Sequence, residues 1–355
     1  MNKRIHNLRT LLKEKGLDGV LLYKPENRRY ASGFTGSTGY ALVTENSAKF
    51  ITDFRYIQQA SNQCIGYEIV EINAQKTIVD VLNSLELGKL GVEEDFMTYG
   101  QYKDFTNKLF QTELVPLDGA IVNLRSVKSE DEVKSIEKAA SIADAAFSHI
   151  IRFVKPGMSE IEIGLELEFF MKKNGASALS FESIVASGKR SSLPHGVASE
   201  KQVEAGDMIT LDFGCVYNGY CSDMTRTFVL GKANDKQKEI YNVVLEAQMK
   251  SLEAVKPGIT GEELDIIARN IISEKGYGEY FGHGLGHGVG LEIHELPHIN
   301  SRGKVPMKPG MIITIEPGVY IPEFGGVRIE DLVLVTNNGY RVLSKSKKDL
   351  IELEI

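Results

Sequence analysis

The 355-residue sequence has no tryptophan and only three cysteines, Cys64, Cys215 and Cys221. Their number is odd and no two of them form a CxxC pair, so the sequence gives no sign of a disulfide framework. This usage indicates a reducing compartment, and we expect a cytoplasmic protein. We interpret the three cysteines as small buried apolar side chains rather than metal ligands.

Two other features are missing, and each excludes a class of function. No apolar stretch approaches the length of about 18 residues that a membrane span needs. The N-terminal residues also lack the unbroken apolar run and cleavage site of a signal peptide. The formal net charge is −7, so no basic face is available to neutralise nucleic-acid phosphates. We therefore predict neither membrane association nor nucleic-acid binding.

The length and the pattern of the chain predict two domains. Residues 1–117 alternate between helical and strand patterns, beginning with an amphipathic helix over about 2–16, which is typical of an α/β layer with some parallel pairing. A long helix then follows Ser129, whose side chain and first-turn acids form a helix N-terminus. We place the domains at 1–123 and 124–355.

The second half of the chain contains an internal repeat. VKPGMSEIEI (154–163) returns as VKPGITGEEL (255–264), and VEAGDMITLDFG (203–214) returns as MKPGMIITIEPG (307–318). The two segments recur 101 and 104 residues later, a nearly constant offset. Each pair reads first as the start of a helix and then as a turn followed by a strand. A duplicated unit with a small insertion explains this pattern better than chance similarity of Gly/Pro turns.

The repeat aligns two acids, Asp212 and Glu316, and each is followed by a second acid, Asp223 or Glu330. If each pair lies on the two strands of a hairpin, two related hairpins direct four carboxylates at one point. Four carboxylates so close do not all stay ionised unless cations neutralise them. The pattern therefore predicts a centre of two divalent ions.

Five of the seven histidines lie in the same half, and four of these fall within sixteen residues in and after GHGLGHGVGLEIHE. Among them His294 and His298 match the HExxH expression of zinc proteases, which requires a helix. Pro297 costs about 3 kcal/mol in a helix interior, so we reject that interpretation. The five histidines are His195, His283, His287, His294 and His298.

The segments LDFG…CSDMTRT, HGLGHGVGLEIHE, TIEPGVY and GGVRIED resemble the motifs of the pita-bread metallopeptidases, in particular aminopeptidase P and prolidase. The resemblance covers the whole chain. It implies an α/β N-terminal creatinase-type domain and an α+β pita-bread catalytic domain with an internal pseudo-two-fold duplication. It also implies five metal ligands, with Glu330 bridging the two ions: Asp212, Asp223, His287, Glu316 and Glu330.

The resemblance implies further roles within the same half. Glu316 is the expected proton acceptor, and His195 and His294 are expected to stabilise the transition state. The same two histidines, with His283 and Arg328, are expected to contact the substrate, although His283, His294 and Arg328 could instead only orient the ligands. One imidazole with four carboxylates favours Mn²⁺, with Co²⁺ or Zn²⁺ as alternatives. We expect a homodimer.

The expected reaction is hydrolysis of the Xaa-Pro bond at the N-terminus of peptides with proline at the second position. An Xaa-Pro aminopeptidase is favoured slightly over an Xaa-Pro dipeptidase (prolidase), because sequence does not show how the C-terminal side of the substrate is closed off. A metal-free pita-bread binding protein is disfavoured, since all five ligand positions are intact.

Overall fold

The structure of the protein is a computed structural model that describes residues 3–355. The chain separates after Arg125 into two compact units. The second of these is Ser126–Ile355, and a short helix, α6 (Ala120–Ser126), lies at the division. Both units mix helices and strands, as the sequence predicts.

The first unit is built on one six-stranded mixed sheet with the order β4-β3-β2-β1-β5-β6. β1 pairs parallel to β5, β3 to β4 and β5 to β6, whereas β2 is antiparallel to both of its neighbours. The elements are α1 (Lys3–Lys15), β1 (Gly19–Leu22), α2 (Pro25–Ser32), β2 (Tyr40–Thr44), β3 (Ala48–Thr52), α3 (Ile57–Gln63), β4 (Glu68–Glu71), α4 (Ile78–Asn83), β5 (Lys89–Val92), α5 (Tyr99–Lys108) and β6 (Glu113–Pro116).

Most of these elements follow the predicted alternation, and the helix predicted over about 2–16 is α1, with its first predicted residue outside the described range. The sequence prediction did not include α2 or β5. α2 carries no apolar period, but it begins with Pro25 and is followed by Gly33, whose φ of 79° is left-handed. Proline in the first turn and glycine after the last are helix boundary signals.

The second unit begins with two helices, α7 (Glu130–Phe153) and α8 (Glu160–Lys173), and a second pair follows later, α9 (Asp235–Ala254) and α10 (Gly261–Glu274). Four sheets complete the unit. Their strands are β7 (Ala178–Leu179), β8 (Ile184–Ser187), β9 (Met208–Phe213), β10 (Cys215–Tyr217), β11 (Tyr220–Cys221), β12 (Met224–Leu230), β13 (Gly286–Gly288), β14 (Glu295–Ile299), β15 (Ile312–Ile315), β16 (Gly318–Ile321), β17 (Gly325–Arg328), β18 (Asp331–Thr336), β19 (Gly339–Val342) and β20 (Glu352–Leu353).

The internal duplication is present in the structure. α8 and α10 begin with equivalent capping boxes, Ser159 with Glu162 and Thr260 with Glu263. In such a box the N-cap side chain accepts from the third residue, whose own side chain accepts from the N-cap backbone. The turns before the two helices are also held alike. The amide N–H groups of Gly157 and Gly258 donate to the carbonyls of Val203 and Met307, respectively, at 2.8 and 2.9 Å.

The two halves of the second unit bury separate clusters of apolar side chains. In the first half α7 and α8 pack on the sheet that contains β8, β9 and β12. In the second half α9 and α10 pack on strands that include β15 and β18. Each strand pair thus has a helix-covered face, and its ends remain available for polar side chains.

All three cysteines are buried, and no disulfide joins them within residues 3–355. Over the same residues, no helix combines the length and the apolar character that a membrane crossing requires.

Candidate metal centre

The acids of the predicted centre lie at the ends of two antiparallel strand pairs. Asp212 lies near the end of β9, and Asp223 immediately precedes β12, the partner of β9. In the other half Glu316 follows β15 directly and Glu330 immediately precedes β18, its partner. Register places the two acids of each pair close together, because Met224 is opposite Phe213 and Ile315 is opposite Asp331.

His287 completes this group from the short strand β13. Its Nε2 atom lies 3.3 Å from Glu316 Oε1 and 3.6 Å from Asp223 Oδ2. Ligand atoms of Asp223, His287 and Glu330 lie within 4.8 Å of one another. All five predicted ligands, including Asp212, line one cavity of about 880 Å³. The structure therefore brings the whole predicted set together.

Glycine on both sides of His287 allows its backbone to enter this crowded position. A Cβ atom at Gly286 would lie 2.2 Å from the carbonyl oxygen of Thr314, and one at Gly288 would lie 2.2 Å from that of Leu296. The ring Nδ1 atom of His287 is 3.0 Å from the Gly288 carbonyl oxygen. That contact requires a proton on Nδ1, so Nε2 keeps its lone pair for a metal ion.

In the metal-free centre the surroundings disfavour the charged forms of the carboxyl and imidazole side chains. Burial raises the pKa of Asp223, Glu316 and Glu330, and repulsion from neighbouring carboxylates raises each of them further. Burial also lowers the pKa of His287 below its ordinary value, which favours the neutral imidazole that binds metal. Three raised carboxyl pKa values in one cavity mark a site that cations stabilise.

Two carboxylate oxygens test whether metal ions fit this centre. Asp212 Oδ1 and Glu330 Oε1 are both buried, and neither accepts a hydrogen bond from any residue in the described range. A buried carboxylate oxygen without a donor costs free energy unless a cation replaces the lost water. The second oxygens do have partners, Arg328 for Asp212 and Thr225 for Glu330, both at 2.6 Å. Divalent cations therefore fit the donor set.

The remaining predicted residues line the same cavity but differ in exposure. His195 and His294 are exposed, and the His294 ring packs edge-on against that of His287 with centroids 4.4 Å apart. His283 is partly buried, and its Nε2 lies 2.9 Å from Tyr320 Oη. Burial lowers the pKa of His283 and of His294. All three imidazoles thus face the cavity that contains the five ligands.

Arg328 is buried, and its guanidinium is engaged by the protein itself. It donates to Asp212 Oδ2 and Tyr320 Oη, both at 2.6 Å, and to Thr225 Oγ1 at 3.0 Å. The direct contacts of Arg328 are therefore with a predicted ligand and with residues beside it. This geometry supports the alternative in which Arg328 orients the ligands.

Sequence analysis missed three residues of the centre, Tyr320, Thr225 and Thr314. Burial raises the pKa of Tyr320 to about 12, so its hydroxyl stays protonated between His283 and Arg328. Thr314 Oγ1 donates to Glu316 Oε1 at 2.9 Å. Tyr320 and Thr314 lie close in sequence to Glu316, and Thr225 is two residues after Asp223, so proximity to the acids was the available signal.

The rejected HExxH interpretation is also tested by the structure. The segment from Glu295 to Ile299 is a strand, β14, so the two histidines of the expression do not share a helix face. His298 pairs with His287 across β13 and β14, and its side chain is exposed. A helical zinc-protease site is excluded.

The fold and the site together define a metal-dependent enzyme with a carboxylate-rich centre between duplicated halves. Residues 134–337 match metallopeptidase family M24, and residues 4–127 match the creatinase/prolidase N-terminal domain. The chain belongs to metallopeptidase family M24. The prediction of a pita-bread metallopeptidase with a creatinase-type N-terminal domain is confirmed.

Three relatives place the chain more closely within this family. It is 52% identical to the Xaa-Pro dipeptidase from Bacillus anthracis, with a TM-score of 0.96 and 99% of each chain covered. It is 44% identical to the Xaa-Pro dipeptidase of Pyrococcus horikoshii over 99% of both chains. The X-Pro aminopeptidase from Thermotoga maritima is 38% identical with a TM-score of 0.91, over 96% of this chain and 99% of that one.

The raised carboxyl pKa values predict how metal binding depends on pH. In the metal-free protein Asp223, Glu316 and Glu330 hold protons more tightly when folded than when unfolded. Their contribution to stability is therefore present below the ordinary carboxyl pKa of about 4 and is lost as pH rises through the raised values. Metal must displace those protons, so affinity rises about tenfold per pH unit for each proton released.

We expect the increase in Tm caused by Mn²⁺ to grow as pH rises above about 4, the ordinary carboxyl pKa, because metal must displace protons that the raised pKa values retain. Differential scanning calorimetry with and without metal measures the increase. A Glu253→Gln variant, which changes an exposed acid on α9, is the matched control and should show the same pH dependence. A metal-induced increase in Tm that is constant over this range would contradict the prediction.

Proposed function

We propose that this chain is an Xaa-Pro dipeptidase that uses two divalent ions, with Mn²⁺ preferred over Co²⁺ and Zn²⁺. The observation that carries the proposal is the buried convergence of one imidazole and four carboxylates, two of which present oxygens without hydrogen bonds. Oxygen-rich ligand sets of this kind suit Mn²⁺, whereas structural zinc sites are rich in thiolate ligands. The full-length similarity to proteins named Xaa-Pro dipeptidase supports the choice of substrate.

Sequence analysis favoured the aminopeptidase slightly, and the comparisons favour the dipeptidase instead. The relatives named Xaa-Pro dipeptidase share 52% and 44% of their residues with this chain, against 38% for the X-Pro aminopeptidase. We therefore propose the dipeptide Xaa-Pro as the preferred substrate. We also propose a domain boundary between residues 123 and 124, which the division after Arg125 supports.

The two ions would be held by Asp212, Asp223, His287, Glu316 and Glu330. The two ions, when bound, would supply activation of a water molecule and polarisation of the scissile carbonyl. Glu316 accepts the proton of the attacking water and passes it to the proline nitrogen as that nitrogen leaves. Its carboxylate is oriented for this role by Thr314, which donates to Oε1 at 2.9 Å.

The imidazoles act on the developing oxyanion and on the substrate. His195 and His294 are exposed within the cavity, so they are available as hydrogen-bond donors to the oxyanion. His283 is oriented by Tyr320 and faces the substrate from the same cavity. Arg328 acts chiefly by holding Asp212 and Tyr320, because its three donor contacts are made within the protein.

Proline specificity follows from the bond itself. The Xaa-Pro amide has no N–H, and the ring holds φ near −65°, so the enzyme recognises a shape rather than a backbone donor. The cavity offers apolar side chains for such a ring beside its polar groups: Phe181, Ile184, Pro194, Val197 and Ile293.

The function is tested by digesting Xaa-Pro, Xaa-Pro-Yaa-Zaa and Xaa-Ala side by side with metal-loaded protein. We expect kcat/KM for the dipeptide Xaa-Pro to exceed that for the tetrapeptide and for Xaa-Ala by about tenfold or more, since a missing contact in a fitted pocket costs about 1–3 kcal/mol. Faster cleavage of the tetrapeptide would identify the aminopeptidase instead. Equal rates on Xaa-Ala and Xaa-Pro would refute the proline assignment.

We further propose a cytoplasmic homodimer in which the N-terminal unit of one subunit approaches the active site of the other. The buried cysteines without disulfides support the compartment. Our candidate contact is the loop of residues 32–40, where Arg28 donates to the carbonyls of Gly36 and Gly39 at 2.7 and 3.2 Å. Light scattering that gives a monomer mass at working concentration would rule out the dimer.

A further inference from the structure

The two duplicated helices α8 and α10 each carry a buried acid that does not line the cavity of the metal centre. Glu160 is fully buried at the start of α8, and Asp265 is 3% exposed on the second turn of α10. Glu160 lies where sequence alone indicates an ordinary first-turn acid, whereas Asp265 lies after the two first-turn acids of α10. Their contacts show a different use, because each one hydrogen-bonds to a segment that carries a histidine of the site.

Glu160 contacts the segment that carries His195. Its Oε1 accepts from the backbone N–H and the hydroxyl of Ser187, both at 2.8 Å. Its Oε2 accepts from the backbone N–H of Ser199 at 3.1 Å, from the Ser199 hydroxyl at 2.7 Å and from Arg190. Arg190 in turn donates to the Val197 carbonyl at 2.8 Å. We call Glu160, Arg190, Ser187 and Ser199 the Glu160 network.

The positions of these contacts bracket the histidine. Ser187 lies eight residues before His195 and Ser199 lies four after it, so one carboxylate ties both ends of the segment to α8. Between those ends the chain turns tightly, with Gly196 donating to the Leu193 carbonyl at 3.1 Å. His195 itself remains exposed toward the cavity. The segment is therefore fixed at its base and presents the imidazole at its tip.

Asp265 does the same for His283 in the other half. Its Oδ1 accepts from the Leu285 backbone N–H at 3.0 Å, and its two oxygens receive Arg269 at 2.9 and 3.0 Å. Arg269 also donates to the carbonyls of Phe281 and His283, each at 2.9 Å. We call Asp265 and Arg269 the Asp265 network. A two-pronged pair of this kind fixes direction as well as distance.

We infer that the Glu160 and Asp265 networks are positioning devices, one for each half of the duplication, that set His195 and His283 against the substrate. The inference rests on the proposed function, since it takes the two histidines as groups that act on substrate. It extends that function to residues that do not themselves line the cavity. The equivalent helices α8 and α10 thus each bind a segment that carries a histidine, and the two segments differ. The acids that bind them are at non-equivalent positions of the two helices.

The first test is a pair of double-mutant cycles on the metal-loaded full chain. Glu160→Gln keeps the side-chain size but places an amide among five donors, and we expect kcat/KM to fall about 10- to 100-fold, the usual cost of losing a residue that orients a functional group. In a His195→Ala background the same change should cost less than about twofold. An equal loss in both backgrounds would show that Glu160 does not act through His195.

The crossed combination supplies the matched control. Glu160→Gln with His283→Ala should give multiplied losses, because the two networks share no residue. The same logic applies to Asp265→Asn with His283→Ala, where the losses should overlap. Glu162→Ala and Glu263→Ala remove capping acids on the same two helices without touching either network, and kcat/KM should stay within about twofold. A loss as large as that of Glu160→Gln would assign the effect to the helices themselves.

A second readout separates failure of the inference from failure of the proposed function. Arg190→Gln and Arg269→Gln alter partly exposed residues, so they keep the test available if Glu160→Gln does not fold. Hydrogen exchange should rise in residues 187–199 for the first variant and in 281–285 for the second, and not the reverse. Unchanged exchange in both segments would overturn the inference whatever the substrate. A wild-type protein that fails to cleave Xaa-Pro, with the exchange pattern as expected, would overturn the proposed function alone.

Discussion

Replacement of Glu330 with alanine is expected to reduce Xaa-Pro hydrolysis to background while the protein stays folded. Loss of a residue that merely orients a ligand costs about 10- to 100-fold, and loss of Glu330, which we propose as a ligand, should cost more. Glu330 is 1% exposed, with one oxygen bound by Thr225 and the other without a donor. Removal of this side chain therefore removes a buried carboxylate oxygen that is available to a cation.

A second expected result for Glu330→Ala distinguishes loss of metal from unfolding. Burial and the carboxylates of Glu316 and Asp212 raise the pKa of Glu330, so at pH 8 this side chain destabilises the metal-free fold relative to a carboxyl group of ordinary pKa. Glu330→Ala should then leave the metal-free Tm unchanged or higher at that pH and abolish the increase that Mn²⁺ causes. Calorimetry and metal analysis of the dialysed protein give both quantities.

Chelation of the wild-type protein should reproduce the loss of activity, and added metal should restore it. Glu253→Ala, which removes an exposed acid on α9, is the control and should respond to neither treatment differently from wild type. A Glu330→Ala variant with near wild-type rates in metal-free buffer would show that the two-metal interpretation is wrong.

The sequence was most informative where chemistry repeats. The near-constant offset between duplicated segments aligns Asp212 with Glu316, and the need to neutralise converging carboxylates then predicts metal. The structure confirms the duplication down to the capping boxes of α8 and α10. A repeated pattern can be read without coordinates because both copies obey the same turn and capping chemistry.

Contacts between residues that are far apart in the chain could not be predicted from the sequence. Thr225 meets Glu330 across 105 residues, and Arg328 meets Asp212 across 116. Neither residue type signals such a partner, because a threonine on a strand is ordinary and a buried arginine is recognisable only once its surroundings are known. The sequence analysis therefore left Arg328 as either a substrate contact or a residue that orients the ligands, and it gave no role to Thr225.

Local sequence propensity also did not predict the contacts of Glu160 with a distant segment. Glu160 reads as a first-turn acid that favours the helix dipole, and it does stand there. Its five hydrogen bonds to Ser187, Arg190 and Ser199 depend on a segment that folds back 27 to 39 residues later. Only the tertiary structure separates an acid that begins a helix from one that also holds a neighbouring segment.

Glu316→Gln is expected to lower kcat by about 10²- to 10⁴-fold with KM little changed, the range that general acid–base catalysis supplies. Glutamine keeps the size of the side chain and one oxygen atom that can bind a metal ion or accept a hydrogen bond. Its amide is not basic enough to accept the proton. The contacts that orient the group, Thr314 at 2.9 Å and the backbone bond from Glu316 N–H to the Leu285 carbonyl at 2.9 Å, remain possible. The variant thus separates proton transfer from placement.

The decisive comparison is between metal content and rate. If Glu316 carries the proton, Glu316→Gln retains bound metal at saturating Mn²⁺ and loses turnover, and the acidic limb of the kcat profile disappears. Glu323→Gln, which alters an exposed glutamate of the second unit, should change neither quantity. Full turnover at full metal content would remove Glu316 from the proton path. A loss of metal that accounts for the whole loss of rate would leave it as a ligand only, with the proton carried by another group of the cavity.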